Sequence, residues 1–165
     1  MYKILIVDDE SIEREGISFL IEKYKLPLEV AQATNGKTAL EYMRTHPIDI
    51  LLTDVKMPQM DGLELARHTF EKYPDVRILV FSAYGEFEFA KKAMAAQAVS
   101  YLLKPIEVDE FQRVMAQILA RCDELAEKKK DEQQRGEEYR QQLLFRLVTG
   151  TGLGKAHITE EWFSG

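Results

Sequence analysis

Residues 4–10 read Ile-Leu-Ile-Val-Asp-Asp-Glu, four bulky aliphatic side chains in a row halted by three acids. An apolar run without alternation predicts a strand covered on both faces, the condition of a central strand in a parallel sheet. The texture returns four more times. Apolar runs at residues 28–33, 48–53, 76–81 and 99–103 join residues 3–7 as strand candidates, each closed by polar or turn residues. Segments of helical period lie between them. Ile12, Gly16, Phe19 and Leu20 are spaced for one helix face, Ala39, Leu40 and Met43 for a second, and Leu63, Leu65, Ala66 and Phe70 for a third. Phe87, Ala90 and Met94 mark a fourth, and Phe111, Val114, Met115, Ile118, Cys122 and Leu125 mark the clearest, fifth one. Ser11, Asn35 and Asp61 stand where the first three helices are expected to start. Five strand–helix alternations imply right-handed crossovers and a parallel sheet between two layers of helices.

The chain of 165 residues is 45% hydrophobic and 30% charged, enough for one globular core plus an appendage. Its formal net charge is −6, and neither residues 1–121 nor residues 122–165 are net basic, which disfavours nucleic-acid binding by either stretch alone. One cysteine, Cys122, can close no intramolecular disulfide and build no zinc site, which fits a reducing compartment. No apolar run approaches membrane-spanning length, and the chain reads as cytoplasmic with no membrane partner. Composition shifts near residue 122. Residues 128–138, KKKDEQQRGEE, hold no apolar side chain, and apolar character returns at Tyr139, Leu143, Leu144, Phe145, Leu147 and Val148. The polar stretch is expected to be a solvated helix or a linker, and Gly136 argues against a rigid continuous rod.

The acids fall at telling places. Asp8 and Asp9 stand just past the first predicted strand, and Asp54 just past the third. Open parallel sheets bind ligands outside the carboxyl ends of their strands, where strand order reverses. For the order 2-1-3-4-5 that place lies between the first and third strands, so the three carboxylates would converge. Each acid alone has a bland use: Asp8 as a cap on the first helix, Asp54 as a turn former. Clustered, they raise one another's pKa and strain the fold, unless a hard divalent cation relieves them. All-oxygen ligation with open positions suits Mg2+ better than zinc. Ser82 follows the fourth strand and Lys104 the fifth, at the same edge. Taken alone they read as a turn residue and a surface lysine. Together, a hydroxyl, an ammonium, a metal and a free carboxylate describe a site for a phosphoryl group, with the carboxylate as nucleophile.

These residues resemble the receiver domain of two-component response regulators. ILIVDDE (4–10), ATNGKTALEYM (33–43), DILLTDVKMPQMDGLEL (49–65), ILVFSAY (78–84) and YLLKP (101–105) occur in family order and spacing across residues 2–121. The resemblance implies a flavodoxin-like (βα)5 doubly wound α/β fold, strand order 2-1-3-4-5, with a C-terminal helical extension. It implies a receiver over residues 1–121 and a helical linker over 122–165 leading toward an effector domain absent from this chain. By the same resemblance Asp54 is the phosphoacceptor, phosphorylated from a sensor histidine kinase. Asp9 would bind Mg2+ directly and Asp8 through water, with Asp54 and the backbone carbonyl of Lys56 as further ligands. Ser82 and Tyr101 match the hydroxyl and aromatic switch residues, and Lys104 the residue that pairs with phosphoryl oxygens. Pro105 matches a cis-proline that aims Lys104, and Tyr84 borders the site with the Lys56 side chain.

Two places depart from the family pattern: Gln97 and Ser100 stand where a glycine and an aspartate are common. SAYGEFEFAKKA (82–93) and the extension ending LLFRLVTG resemble the branch fused to AraC-type helix-turn-helix domains. The implied function is a phosphorylation-controlled switch, not an enzyme, beyond assisting its own phosphotransfer and dephosphorylation. Phosphorylation would turn the face of the fourth helix, fifth strand and fifth helix toward homodimerisation. DNA would then be bound only through the absent domain. The alternative is a stand-alone receiver acting through protein contacts. A haloacid-dehalogenase-like aspartyl-phosphate hydrolase is remote, because it needs an aspartate where Lys56 stands.

Overall fold

The computed structural model describes residues 1–83, residue 88 and residues 99–151. The fourth helical segment expected around Phe87, Ala90 and Met94 lies outside the described residues, as do Tyr84 and Gln97. Strands β1 (Tyr2–Val7), β2 (Leu28–Ala33), β3 (Ile50–Asp54), β4 (Arg77–Ala83) and β5 (Val99–Lys104) form one sheet in the order β2-β1-β3-β4-β5. All four pairings are parallel. The fold class read from the sequence stands, and β1, whose unbroken apolar run predicts a strand covered on both faces, is central in the sheet. The strand ends shift by a residue or two. Asp54 and Lys104 are the last residues of β3 and β5, and Ser82 lies within β4 rather than after it. Register aligns Val7 with Thr53 and Asp54 with Phe81, so the carboxyl ends of β1, β3 and β4 lie side by side.

Alternation within each strand sorts side chains into two cores. Ile4, Ile6, Leu52, Leu79 and Phe81 pack on one face with Ile17 and Ile21 of helix α1 (Ser11–Lys23) and with Phe111, Met115 and Ile118 of the C-terminal helix (Val108–Thr149). Leu5, Val7, Leu51, Ile78 and Val80 pack on the other face. Their partners there include Ala39 and Met43 of α2 (Gly36–Thr45) and Leu65 and Ala66 of α3 (Gly62–Lys72). Asn35 and Asp61 cap α2 and α3, accepting from the backbone N–H groups of Thr38 and Glu64 at 2.8 Å each.

Helix α1 departs from its expected face and start. Ile12 and Phe19 are 70% and 60% exposed, and the buried pair is Ile17 and Ile21. Two apolar stripes overlap on this helix, and the one that meets Ile4, Ile6 and Leu28 is the branched i, i+4 pair. Phe70 of α3 is likewise 40% exposed. Ser11 is the first helical residue rather than the cap; Glu10 holds the cap position with no side-chain hydrogen bond. The chain divides into two compact units, Met1–Asp123 and Glu124–Gly165. The C-terminal helix runs to Thr149 without a break at Gly136, against the expectation drawn from that residue. Described side chains from Ala126 onward are all exposed, so the polar stretch is a solvated helix.

Candidate functional site

Asp8 leaves β1 almost fully buried. Its backbone N–H donates to Ala33 at 3.3 Å, and its carboxylate accepts from the N–H of Glu10 at 2.9 Å. That bond closes a turn before α1, so Asp8 is a loop anchor and not the cap of α1. Arg14 braces the turn: its Nη1 donates to the Asp8 carbonyl at 2.7 Å and its Nε to Gln32 of β2 at 3.2 Å. Asp9 is exposed beside it. Asp54, 7% exposed, closes β3. The Thr53 hydroxyl donates to the Asp54 carbonyl at 3.0 Å. Gly62 packs so closely that a Cβ there would lie 1.7 Å from the same carbonyl oxygen. Only glycine permits α3 to start against the end of β3.

One carboxylate oxygen from each of Asp8, Asp9 and Asp54 lies within 4.8 Å of the others. Lys104 reaches over from β5, with Nζ 3.2 Å from Asp54 Oδ1 and 3.4 Å from Asp8 Oδ2. The Lys104–Pro105 peptide bond is cis. Ser82 is fully buried and its hydroxyl has no hydrogen-bond partner among the described residues. An unpaired buried hydroxyl costs about 1–3 kcal/mol, a debt that an incoming oxygen acceptor would remove. Tyr101 is half-buried on β5 opposite Val80, and burial raises its phenol pKa. Lys56 lies in the loop after β3 with its side chain exposed.

Electrostatics follow from this packing. Burial, opposed by Lys104 and reinforced by the Asp8 charge, pushes the Asp54 carboxyl from 3.8 up to about 6. Burial works to lower the Lys104 pKa, but the charges of Asp54 and Asp8 outweigh it and the net movement is upward. The pair is therefore asymmetric. The ammonium stays charged while the buried acid is held back from full ionisation near neutrality. Three carboxylates against one lysine leave the crevice with excess negative charge. The donor set is hard oxygen throughout, which fits a divalent cation such as Mg2+.

Sequence reasoning missed Arg14, Thr53 and Gly62. A polar residue interrupting Ile50-Leu51-Leu52 was the available signal for Thr53. Nothing distinguishes Arg14 from any arginine on an amphipathic helix until β2 is seen beside it.

A doubly wound sheet with an acid cluster and a lysine at its switch point defines a receiver-type signalling domain. Family profiles agree: residues 4–116 match the response regulator receiver domain, and the chain belongs to that family. It is 41% identical over 121 residues to the uncharacterised transcriptional regulatory protein YesN of Bacillus subtilis strain 168, covering 73% of this chain and 33% of that protein. A two-component transcriptional regulator AraC from Clostridium phytofermentans has a similar structure, with TM-score 0.70 and 35% identity over 75% of this chain and 97% of that one. The receiver domain of AraT, a response regulator from Geobacillus stearothermophilus, gives TM-score 0.68 and 38% identity over 78% and 98%. The chain spans a third to a half of the length of the curated relatives first matched, at 33%, 45% and 50%. Receiver domains are signalling modules of two-component systems, which act with histidine kinases and bind Mg2+ at an acidic pocket. No helix among the described residues is long and apolar enough to cross a membrane.

Proposed function

We propose that this chain is the phosphoacceptor of a two-component pathway, with Asp54 as the acceptor. The observation that carries the reading is Lys104 Nζ held between Asp54 and Asp8; the buried hydroxyl of Ser82, which has no hydrogen-bond partner among the described residues, lies near the same end of the sheet on β4. An Asp54 carboxylate oxygen attacks the phosphorus of a phosphohistidine on the kinase. The P–N bond breaks, the imidazole takes back the electron pair and a proton, and an acyl phosphate remains on Asp54. Lys104 pairs with a phosphoryl oxygen that replaces its present carboxylate partner, and Ser82 donates to another. Asp8, Asp9, Asp54 and the Lys56 carbonyl would hold Mg2+, whose charge neutralises the crevice and the phosphoryl oxygens. Arg14 fixes the turn that presents Asp8 and Asp9.

Ser82 withdrawing toward the phosphoryl group vacates space that Tyr101 fills, turning the face that carries β5. Residues 1–121 form the switch and 122–165 the connection to an effector outside this chain. For the effector we propose a DNA-binding domain of the AraC type, supported by the similarity to regulators so named and by the greater length of the relatives. Dimerisation on phosphorylation and a cytoplasmic location belong to the same reading.

Intact mass after incubation with acetyl phosphate and Mg2+, run beside Asp54→Asn, tests the chemistry. The expected result is one labile phosphoryl group that requires Mg2+ and is lost in the variant. A stable folded chain that gains nothing, and binds no beryllofluoride, sinks the proposal.

A further inference from the structure

By burial Phe81 is an ordinary core residue: it is 1% exposed and packs among Ile4, Ile6, Leu79 and Leu102. One side of its ring meets something else. Lys104 Nζ lies over the ring, 4.6 Å from its centroid. The same nitrogen is 3.2 Å from Asp54 Oδ1 and 3.4 Å from Asp8 Oδ2. The ammonium is thus bounded by two carboxylates and one aromatic face. A ring attracts a cation within about 6 Å of its centroid, and more strongly where water is excluded. An aliphatic side chain of similar bulk offers no such attraction.

The neighbourhood supplies a competing position. A groove of about 350 Å3 on the α1 side is lined by Glu13, Phe19, Phe81, Lys104 and Pro105. The charge of Glu13 also acts on Lys104. A lysine with four rotatable bonds and no aromatic floor would spend part of its time turned toward Glu13 and water, away from Asp54.

We propose that Phe81 is a positioning residue for phosphoryl transfer, its ring face holding the Lys104 ammonium against Asp54 so that the cation is in place as phosphoryl oxygens arrive. The inference rests on the phosphoacceptor reading and deepens it, since it concerns how that site keeps its lysine ready. Phe81 touches no reacting atom and acts only through Lys104.

The test replaces Phe81 in the full chain with mono-, di- and trifluorinated phenylalanine. Fluorine drains the negative ring face while leaving its shape nearly unchanged. The initial rate of phosphorylation by acetyl phosphate at saturating Mg2+ is expected to fall stepwise along the series. Phe81→Leu is expected to lose on the order of five- to tenfold. A second readout is independent of the reaction. In the unmodified protein the Lys104 ε-methylene protons should show an upfield ring-current shift, which disappears in Phe81→Leu. Rates that stay flat along the series overturn the positioning role even if the shift is present. Absence of the shift overturns the placement of the ammonium on the ring. If the unmodified protein shows the shift but neither accepts a phosphoryl group nor binds beryllofluoride, the phosphoacceptor reading fails and takes the positioning role with it. A stepwise fall together with the shift supports both.

Discussion

Asp54 works against folding when it is ionised in metal-free protein, because burial outweighs the Lys104 ammonium beside it. Its folded pKa of about 6 lies above the ordinary value of 3.8, chiefly because it is buried, so the folded state holds the proton more tightly than the unfolded one. For a raised carboxyl, stability is fully present below the unfolded value and declines as pH rises from about 4 through about 6. Above that window the cost reaches roughly 3 kcal/mol at most. Asp54→Asn should therefore melt several degrees higher than the unmodified chain at pH 7 in metal-free buffer, and the gain should vanish near pH 4. Calorimetry across that range checks it; a variant that melts lower at pH 7 means the lost Lys104 partnership outweighs burial. Gly62→Ala tests the neighbouring constraint. A methyl group 1.7 Å from the Asp54 carbonyl forces that peptide to move. The variant should lose more than about 2 kcal/mol by denaturant titration, and its rate of phosphorylation should fall further than any loss of folded protein explains. The charged members of this site were legible because acids at strand ends are conspicuous against apolar runs. Its supports were not. Phe81 reads as one more strand residue, and Arg14 and Gly62 acquire roles only when β2 and β3 lie beside α1 and α3.

At the scale of elements, strands could be read better than helix faces. A short aliphatic run such as Leu5-Ile6-Val7 has few options, and β1 buries it completely. A helix with two apolar stripes has more. On α1 the spacing of Ile12, Gly16, Phe19 and Leu20 is as good a helical face as that of Ile17 and Ile21, and only the sheet decides between them. Burial sets the expected consequences. Ile17→Ala should cost about 2–4 kcal/mol, because its side chain is 1% exposed among Ile4, Ile6 and Leu28. Phe19→Ser, at a residue 60% exposed, should stay within about 0.5 kcal/mol. Urea midpoints of the two variants discriminate the faces directly, and the reverse ranking would mean that α1 is rotated from the orientation seen here. Capping was legible where the side chain is the cap. Asn35 closes a capping box with Thr38, and Asn35→Ala should lose about 1 kcal/mol. Ser11 failed as a cap because Asp8 had already closed the preceding turn on Glu10.

For the whole molecule, the change of composition after residue 122 marks a change in what holds the chain together, although no break in helical structure accompanies it. The C-terminal helix gives Phe111, Val114, Met115, Ile118 and Cys122 to the core of the first unit. Beyond Leu125 no described side chain is buried. Helical propensity and spaced charges carry the backbone through residues 128–138, and even Gly136, at about 1 kcal/mol relative to alanine, does not interrupt it. Sequence patterning shows where burial ends, but a solvated helix and an irregular linker share the same polar composition, and only the backbone distinguishes them. Removing residues 128–165 therefore deletes the exposed helix of 128–149 and none of the described core. The shortened chain should unfold in a single cooperative transition within about 2 °C of the full chain, since every described residue of the two apolar layers is kept. Its circular dichroism should lose the helical signal of residues 128–149. Removal from residue 117 onward takes Ile118 and Cys122 with it, and should lower the melting temperature by ten degrees or more, given about 2–5 kcal/mol for a large buried aliphatic side chain. If the cut before residue 128 proves as damaging as the cut before residue 117, the stability of the receiver depends on the exposed helix, and the division of the chain at Asp123 is not a division of its folding.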